Sequence, residues 1–191
     1  MKSVLLGLGS NLSFSGNDSV ELLANASGEL SRIMHSPVFS SVYESRPMYV
    51  ENQETFFNMA VKGFVEDSEN PYTLLKKIHL IEQKYGRDRS KEIRFGPRSL
   101  DIDIEDFCGL SIDNPPELIL PHPRLFERGF VLIPFLEILI DSADEKLRAK
   151  FKDYASALSF QDVKKCSEKI QEQFKSCLNA FSGGIVWNRI K

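Results

Sequence analysis

A chain of 191 residues, 42% hydrophobic and 27% charged, has the size of one domain, with or without an appendage, and enough apolar residues to bury a core. That balance excludes wholesale disorder, and with no apolar run of roughly 18–20 residues a membrane-spanning helix is excluded too. A formal net charge of −3 argues against a general nucleic-acid binder. Met1-Lys2-Ser3-Val4-Leu5-Leu6-Gly7 holds too short an apolar stretch for a secretory signal, so the expected location is cytoplasmic. Cys108, Cys166 and Cys177 lack metal-ligand spacing and cannot all pair; they read as packing residues in a reducing compartment.

In chain order, residues 3–9 read as a buried strand ending in Gly7-Leu8-Gly9-Ser10-Asn11. A helix follows from about Asp18 to Ile33, with Val20, Leu23, Leu30 and Ile33 at loosely helical spacing. Residues 38–43 and 56–65 read as strands, joined by a loop around Arg46-Pro47-Met48. Asn70-Pro71 is a helix start, with Asn as N-cap and Pro in the first turn, and Gly86 can close the helix. Residues 100–107 alternate as a strand and turn at Cys108-Gly109, while Pro121 to Pro123 break the chain before a short helix ending near Ile138. In the tail, Ser159 and Asp162 resemble a capping box. Val163, Cys166, Ile170, Phe174, Cys177 and Phe181 form one apolar stripe, expected to pack back on the domain or to make a dimer contact. The class is α+β.

Charge is unevenly divided. Residues 145–191 carry ten Lys/Arg against five Asp/Glu, leaving 14 basic and 22 acidic residues in the body. Within that acidic body, residues 87–98 are basic, and such a loop is either solvated or built for an anion. Directly after it, Asp101 and Asp103 share one strand face about 7 Å apart, while Ile102 and Ile104 point into the core. Two carboxylates so placed repel unless a cation lies between them, and hard oxygen ligands in a pair suit Mg²⁺. Arginines immediately upstream can grip phosphate oxygens in bidentate fashion. Carboxylates for a metal beside guanidiniums for phosphates make a phosphoryl-transfer grouping. Gly7 to Asn11 is not a Walker A loop, since no Gly-Lys-Ser/Thr follows. Phe56 and Asn58 face the same way and could stack and hydrogen-bond a flat heterocycle, or simply fill the core. His122, between two prolines, is expected to be exposed and anion-facing, and no Ser/His/Asp or Cys/His constellation supports acyl transfer.

Three stretches in order give the chain a resemblance to the 6-hydroxymethyl-7,8-dihydropterin pyrophosphokinase family of folate biosynthesis. They are Gly9-Ser10-Asn11; Arg94-Phe95-Gly96-Pro97-Arg98 through Asp101-Ile102-Asp103; and Pro121-His122-Pro123-Arg124-Leu125 with Arg128-Gly129-Phe130-Val131-Leu132. The resemblance covers roughly residues 3–140. It implies a ferredoxin-like αβα core with a mostly antiparallel sheet; the C-terminal helical extension expected from the apolar stripe has no clear counterpart in the family. The units expected are a catalytic domain at 1–144 and a basic extension at 145–191 packed on it. The implied reaction moves diphosphate from ATP to the hydroxymethyl of the pterin, giving AMP.

By the same resemblance, Asp101 and Asp103 hold two Mg²⁺ ions. Arg87, Arg89, Arg94, Arg98, His122 and Arg128 face phosphate, with Arg87 and Arg98 grouped with the two aspartates as the catalytic set. Glu82 and Ile104 line the nucleotide site. The pterin lies between Phe56 and Phe130, with Asn58 and the backbone near Ser45 and Met48 reading its edge. The partners implied are small molecules alone, without nucleic acid or membrane, to a monomer or weak homodimer. Several positions depart from the family pattern. Glu105 replaces an apolar residue and is expected to reach solvent, Phe95 stands for a tryptophan, Arg46 for a proline, and the basic loop is one residue longer. These departures leave open a binding module without turnover. The D-x-D pair by itself also fits another metal-dependent nucleotide transferase. Clustered arginines repel, so residues 86–97 are expected to stay open until nucleotide closes them as a lid.

Overall fold

Strand β1 (Lys2–Ser10) organises the molecule by alternation: Val4, Leu6 and Leu8 face one way, Leu5, Gly7 and Gly9 the other. The computed structural model describes residues 1–47, 53–89, 96–158 and 161–181. β1 pairs antiparallel with β4 (Phe56–Val65) on one side and β5 (Asp101–Phe107) on the other. β2 (His35–Phe39) and β3 (Tyr43–Ser45) both pair with β4, acting as one interrupted strand. With α1 (Ser19–Ile33) after β1 and α2 (Pro71–Lys84) after β4, the order β5–β1–β4–β2/β3 is the ferredoxin-like βαββαβ arrangement. A separate hairpin joins β6 (Ile112–Asn114) to β7 (Leu118–Leu120).

Local chemistry explains both crossover helices. Asp18 caps α1, its carboxylate accepting from the Val20 and Glu21 amides at 2.9 Å, while Glu21 accepts from the Asp18 amide at 2.8 Å. Asn70 caps α2 in the same way, and Gly86 closes it at φ +92°, with the Phe14 ring lying over the glycine. One face of the sheet is covered by α1, α2 and α5 (Glu168–Phe181), through Leu22, Leu30, Ile78 and Phe174 packed on Leu6, Val61 and Ile104. The other is covered by α3 (Gly129–Ile138) and α4 (Glu145–Ala157), through Leu132, Phe135 and Phe151 over Leu5 and Ala60. Among the described residues no helix is long and apolar enough to cross a membrane.

Three expectations need correction. The strand expected at 38–43 is broken at Ser40–Val42, where the Ser40 amide still reaches the Ala60 carbonyl (3.0 Å) but side chains take over the other bonds. Ser40 Oγ accepts from the Ala60 amide (2.9 Å), Glu137 takes the Ser41 amide (2.8 Å), and Gln171 takes that of Val42 (3.0 Å). The tail is not one helix: after α4 the chain forms β8 (Lys164–Lys165) against β3, and α5 begins only at Glu168. Val163 and Cys166 therefore lie outside the helix, and Cys166 gives its amide to the Val42 carbonyl (3.0 Å). Ser159 lies outside the described residues. Cys108 is exposed in a tight turn at φ +43° instead of packed, whereas Cys166 is buried.

Candidate active site

The α3 face of the sheet is bare at one end, because β1 offers only hydrogen there. Gly7 sits opposite Asp103 and Ala60, and Gly9 opposite Asp101 and Asn58. This glycine floor forms a hollow walled by Asp101, Asp103 and Arg98 on one side and by Ser45, Phe56 and Asn58 on the other, with Arg128 and Phe130 above. The structure thus joins the two aspartates with the aromatic and amide groups named from the sequence.

Arginines from three segments converge on the aspartates. Arg98 Nη1 reaches Asp101 Oδ2 at 2.6 Å, and Arg87 bridges Asp101 Oδ1 and Glu82 Oε1. Arg128 Nη1 lies 3.2 Å from Asp103 Oδ2. Glu82 is the buried anchor of the first group: it also pairs with Arg89 (2.5 Å) and accepts from the Ile102 amide (2.9 Å). It orients Arg87 and Arg89, which border a second hollow with His79 and Gln83. His122 is more covered than expected. Its amide donates to the Glu105 carbonyl (2.9 Å), its Nδ1 accepts from the Arg124 amide (3.1 Å), and Nε2 points toward Asp103 at 3.9 Å.

Burial pushes both aspartates up, but Arg87 and Arg98 outweigh it at Asp101 and hold that carboxyl below its usual range. At Asp103 burial wins, aided by the Asp101 charge, and the carboxyl is raised against the pull of His122 and Arg128. Burial also raises Glu82, and it lowers His122 toward the neutral imidazole. Each aspartate keeps an open flank, with side-chain exposures of 21% and 35%. Among the described residues no three His, Cys, Asp or Glu side chains converge as a cage. Two hard carboxylates open to a cavity fit a Mg²⁺ that takes its remaining ligands from water and phosphate.

On the aromatic side, Asn58 Nδ2 donates to Ser45 Oγ at 2.9 Å, which fixes the amide, and the Arg128 guanidinium lies 5.7 Å from the Phe130 ring centre. Ile104 lies in the main core, on the sheet face opposite the aspartates, and does not line the hollow. Met48, Arg94 and residues 90–95 of the expected lid lie outside the described residues. Glu105 is a correction. It is fully buried, not solvated, in the floor beside Gly7, and neither carboxylate oxygen has a hydrogen-bond partner. Burial, reinforced by Asp103, raises its pKa well above the ordinary carboxyl range. Glu105 keeps the Asp101 and Asp103 face that alternation gives it, and it stays out of solvent because Gly7 leaves room for the carboxyl; the bulge between Leu5 and Leu6 shifts the register only beyond it. Asn11 has a structural role that its motif alone did not show. It exchanges two bonds with Arg98, accepting from its amide (2.8 Å) and donating to its carbonyl (3.0 Å).

A family model of 7,8-dihydro-6-hydroxymethylpterin-pyrophosphokinase matches residues 5–140. The 2-amino-4-hydroxy-6-hydroxymethyldihydropteridine pyrophosphokinase of Bacillus subtilis is 46% identical, over 52% of this chain and 56% of its own. The protein of the same name from Aquifex aeolicus is 36% identical, over 72% and 81%. Folic acid synthesis protein fol1 of Pneumocystis carinii is 36% identical over 85% of this chain but 21% of its own, so the chain spans only part of the larger relatives. A crystal structure of Plasmodium falciparum HPPK-DHPS, wild type with SDX-DHP, shares the fold with a TM-score of 0.55 over 83% of this chain and 46% of that one, at 14% identity. A match that runs from β1 to the end of α3 takes in the whole glycine-floored hollow and its charged rim, and the chain belongs to the 7,8-dihydro-6-hydroxymethylpterin-pyrophosphokinase family.

Proposed function

We propose that the chain transfers the diphosphate of ATP to the hydroxymethyl group of 6-hydroxymethyl-7,8-dihydropterin, giving the pterin diphosphate and AMP. The observation that carries this reading is the juxtaposition across one glycine floor of a carboxylate pair ringed by arginines with an aromatic and amide wall. Asp101 and Asp103 would hold two Mg²⁺ ions, which when bound neutralise phosphate charge. Arg87, Arg98 and Arg128, which pair with carboxylates at the rim of the hollow, would turn their guanidiniums to phosphate oxygens, joined by Arg89, Arg94 and His122. Phe56 and Phe130 enclose the pterin, and the Asn58 amide, held by Ser45, reads its edge. The hydroxyl oxygen attacks the β-phosphorus, the bond from that phosphorus to the α,β-bridging oxygen breaks, AMP departs and the hydroxyl proton passes to solvent. Positioning and charge neutralisation supply the rate, and no side chain is assigned as general base. Residues 1–144 form the catalytic unit in this reading, with 145–191 packed on it, acting in the cytoplasm as a monomer or weak homodimer.

A coupled assay for AMP from ATP, Mg²⁺ and the pterin tests the proposal, with EDTA and no-pterin controls. AMP that requires both metal and pterin is the expected result. ADP in its place would mean an ordinary kinase or ATPase, and nucleotide binding without product would mean a non-catalytic module.

A further inference from the structure

Residues beyond the family match return to the site. Phe151 of α4 is fully buried between Phe126 and Phe135, at centroid distances of 5.8 and 5.7 Å, which anchors α4 over α3 and the short helical turn before it. Beyond α4 the Gln161 amide donates to the Leu158 carbonyl at 3.0 Å. The Gln161 side chain then grips the backbone on both sides of Arg128. Its Oε1 accepts from the Gly129 amide at 2.6 Å, and its Nε2 donates to the Glu127 carbonyl at 2.8 Å.

This grip does work that the local sequence leaves undone. Arg128 is the N-cap of α3 but its side chain makes no capping bond, so the Gly129 amide is one of the orphan donors of a helix start. Gln161 satisfies it from 32 positions away. The approach is close: a Cβ on Gly129 would lie 3.0 Å from Gln161 Oε1 and 3.5 Å from Val163 Cγ2. The two side chains that leave this stretch into the hollow are Arg128, at Asp103, and Phe130, beside the Arg128 guanidinium. The next residue, Asp162, pairs with Arg46 on the opposite wall at 3.6 Å.

We infer that Gln161 is a positioning residue for the reaction proposed above, a two-point backbone clamp that sets Arg128 and Phe130 over the glycine floor. The inference rests on that functional reading, since its kinetic signature needs both side chains to meet substrate. Displacing them by a fraction of an ångström costs rate without unfolding the domain.

Gln161→Ala should lower kcat/KM for ATP and for the pterin by on the order of tenfold. The melting temperature should fall by no more than a few degrees, leaving the protein folded under assay conditions, and hydrogen exchange at the Gly129 amide should accelerate. Gln161→Glu, which keeps the acceptor but loses the donor, should not restore the rate. Gly129→Ala should cost activity in the wild-type background and add little to Gln161→Ala, because both break the same contact. Wild-type kinetics in Gln161→Ala would overturn the inference, and so would full additivity of the two substitutions. A wild-type protein that forms no AMP defeats the functional reading instead. The clamp is then judged by Gly129 exchange alone, and an unchanged rate in Gln161→Ala rejects it.

Discussion

Glu105 folds its carboxyl against the backbone of Gly7, so closely that a Cβ at position 7 would lie 3.0 Å from Glu105 Oε1. The glycine makes the space and the carboxyl fills it, with no donor to meet either oxygen. A buried, unsatisfied polar group costs about 1–3 kcal/mol, a cost that an apolar side chain of similar shape avoids. Glu105→Met should therefore raise stability by roughly that amount at pH 7–8, or a few degrees in Tm at about 2–4 °C per kcal/mol. The sign with pH follows from the raised pKa, to which burial contributes most and Asp103 next. The folded protein holds this proton more tightly than the unfolded chain does. Stability is full below the unfolded value of about 4.5 and falls as pH climbs toward the folded one. The advantage of Glu105→Met should shrink between pH 8 and 5 in thermal melts, and an advantage independent of pH would point to packing alone.

Arg87 is almost fully buried between Glu82 and Asp101. Arg87→Ala leaves Glu82 with Arg89 and one backbone amide, inside a site where burial already raises its pKa. Breaking a buried pair from one side costs about 3 kcal/mol, and that loss should appear in urea unfolding at pH 8. As pH falls, Glu82 takes up a proton and the stranded charge disappears, so the deficit should narrow toward pH 5. Glu82→Gln in the same background should recover part of it. An equal loss at both pH values would assign the cost to packing.

Asp101→Asn and Asp103→Asn test the carboxylate pair without removing bulk. Charge stabilisation of several kcal/mol by a bound metal corresponds to a rate loss on the order of 10²–10⁴, and both variants should lose AMP formation to that degree. Calorimetry should show nucleotide binding that depends on Mg²⁺ in the wild type and is weakened in both variants. Full activity in either folded variant would remove that residue from the metal assignment. The two should differ in stability: Asp101→Asn strips Arg87 and Arg98 of a shared anion, whereas Asp103→Asn removes a carboxyl that burial and then the Asp101 charge already push toward its neutral form.

Features governed by neighbouring residues were legible in the sequence. The caps at Asp18 and Asn70, the closure at Gly86 and the alternation that points Asp101 and Asp103 one way depend on a few positions along one chain segment. The hollow is partly legible, since Phe56, Asn58, Arg98 and Phe130, which the motifs single out, lie together along it. What was hidden depends on two segments at once. The burial of Glu105 depends on the room that Gly7 leaves on β1, the break at Ser40–Val42 on Glu137 and Gln171 from helices 96 or more positions away, and the setting of Arg128 on Gln161. The same distance in sequence explains why the apolar stripe of the tail suggests a single helix. Val163 and Cys166 match the apolar stripe of α5 but belong to an extended stretch recruited by β3.

Gln171 offers the sharpest test of that recruitment. It is buried on α5, and its amide behaves like a strand residue: Oε1 accepts from the Val42 amide (3.0 Å) and Nε2 donates to the Val42 carbonyl (2.8 Å). The Val42 carbonyl has a second donor in the Cys166 amide. Gln171→Ala would strand the Val42 amide in the interior, a cost of about 1–3 kcal/mol, read as a fall of several degrees in Tm. Gln171→Glu should not restore stability, because it returns the acceptor but sets a carboxylate against the Val42 carbonyl. Hydrogen exchange locates the effect: the Val42 amide should lose protection in Gln171→Ala, while amides in the β1–β4 pairing keep theirs. Unchanged protection at Val42 would mean that the sheet edge closes without the helix.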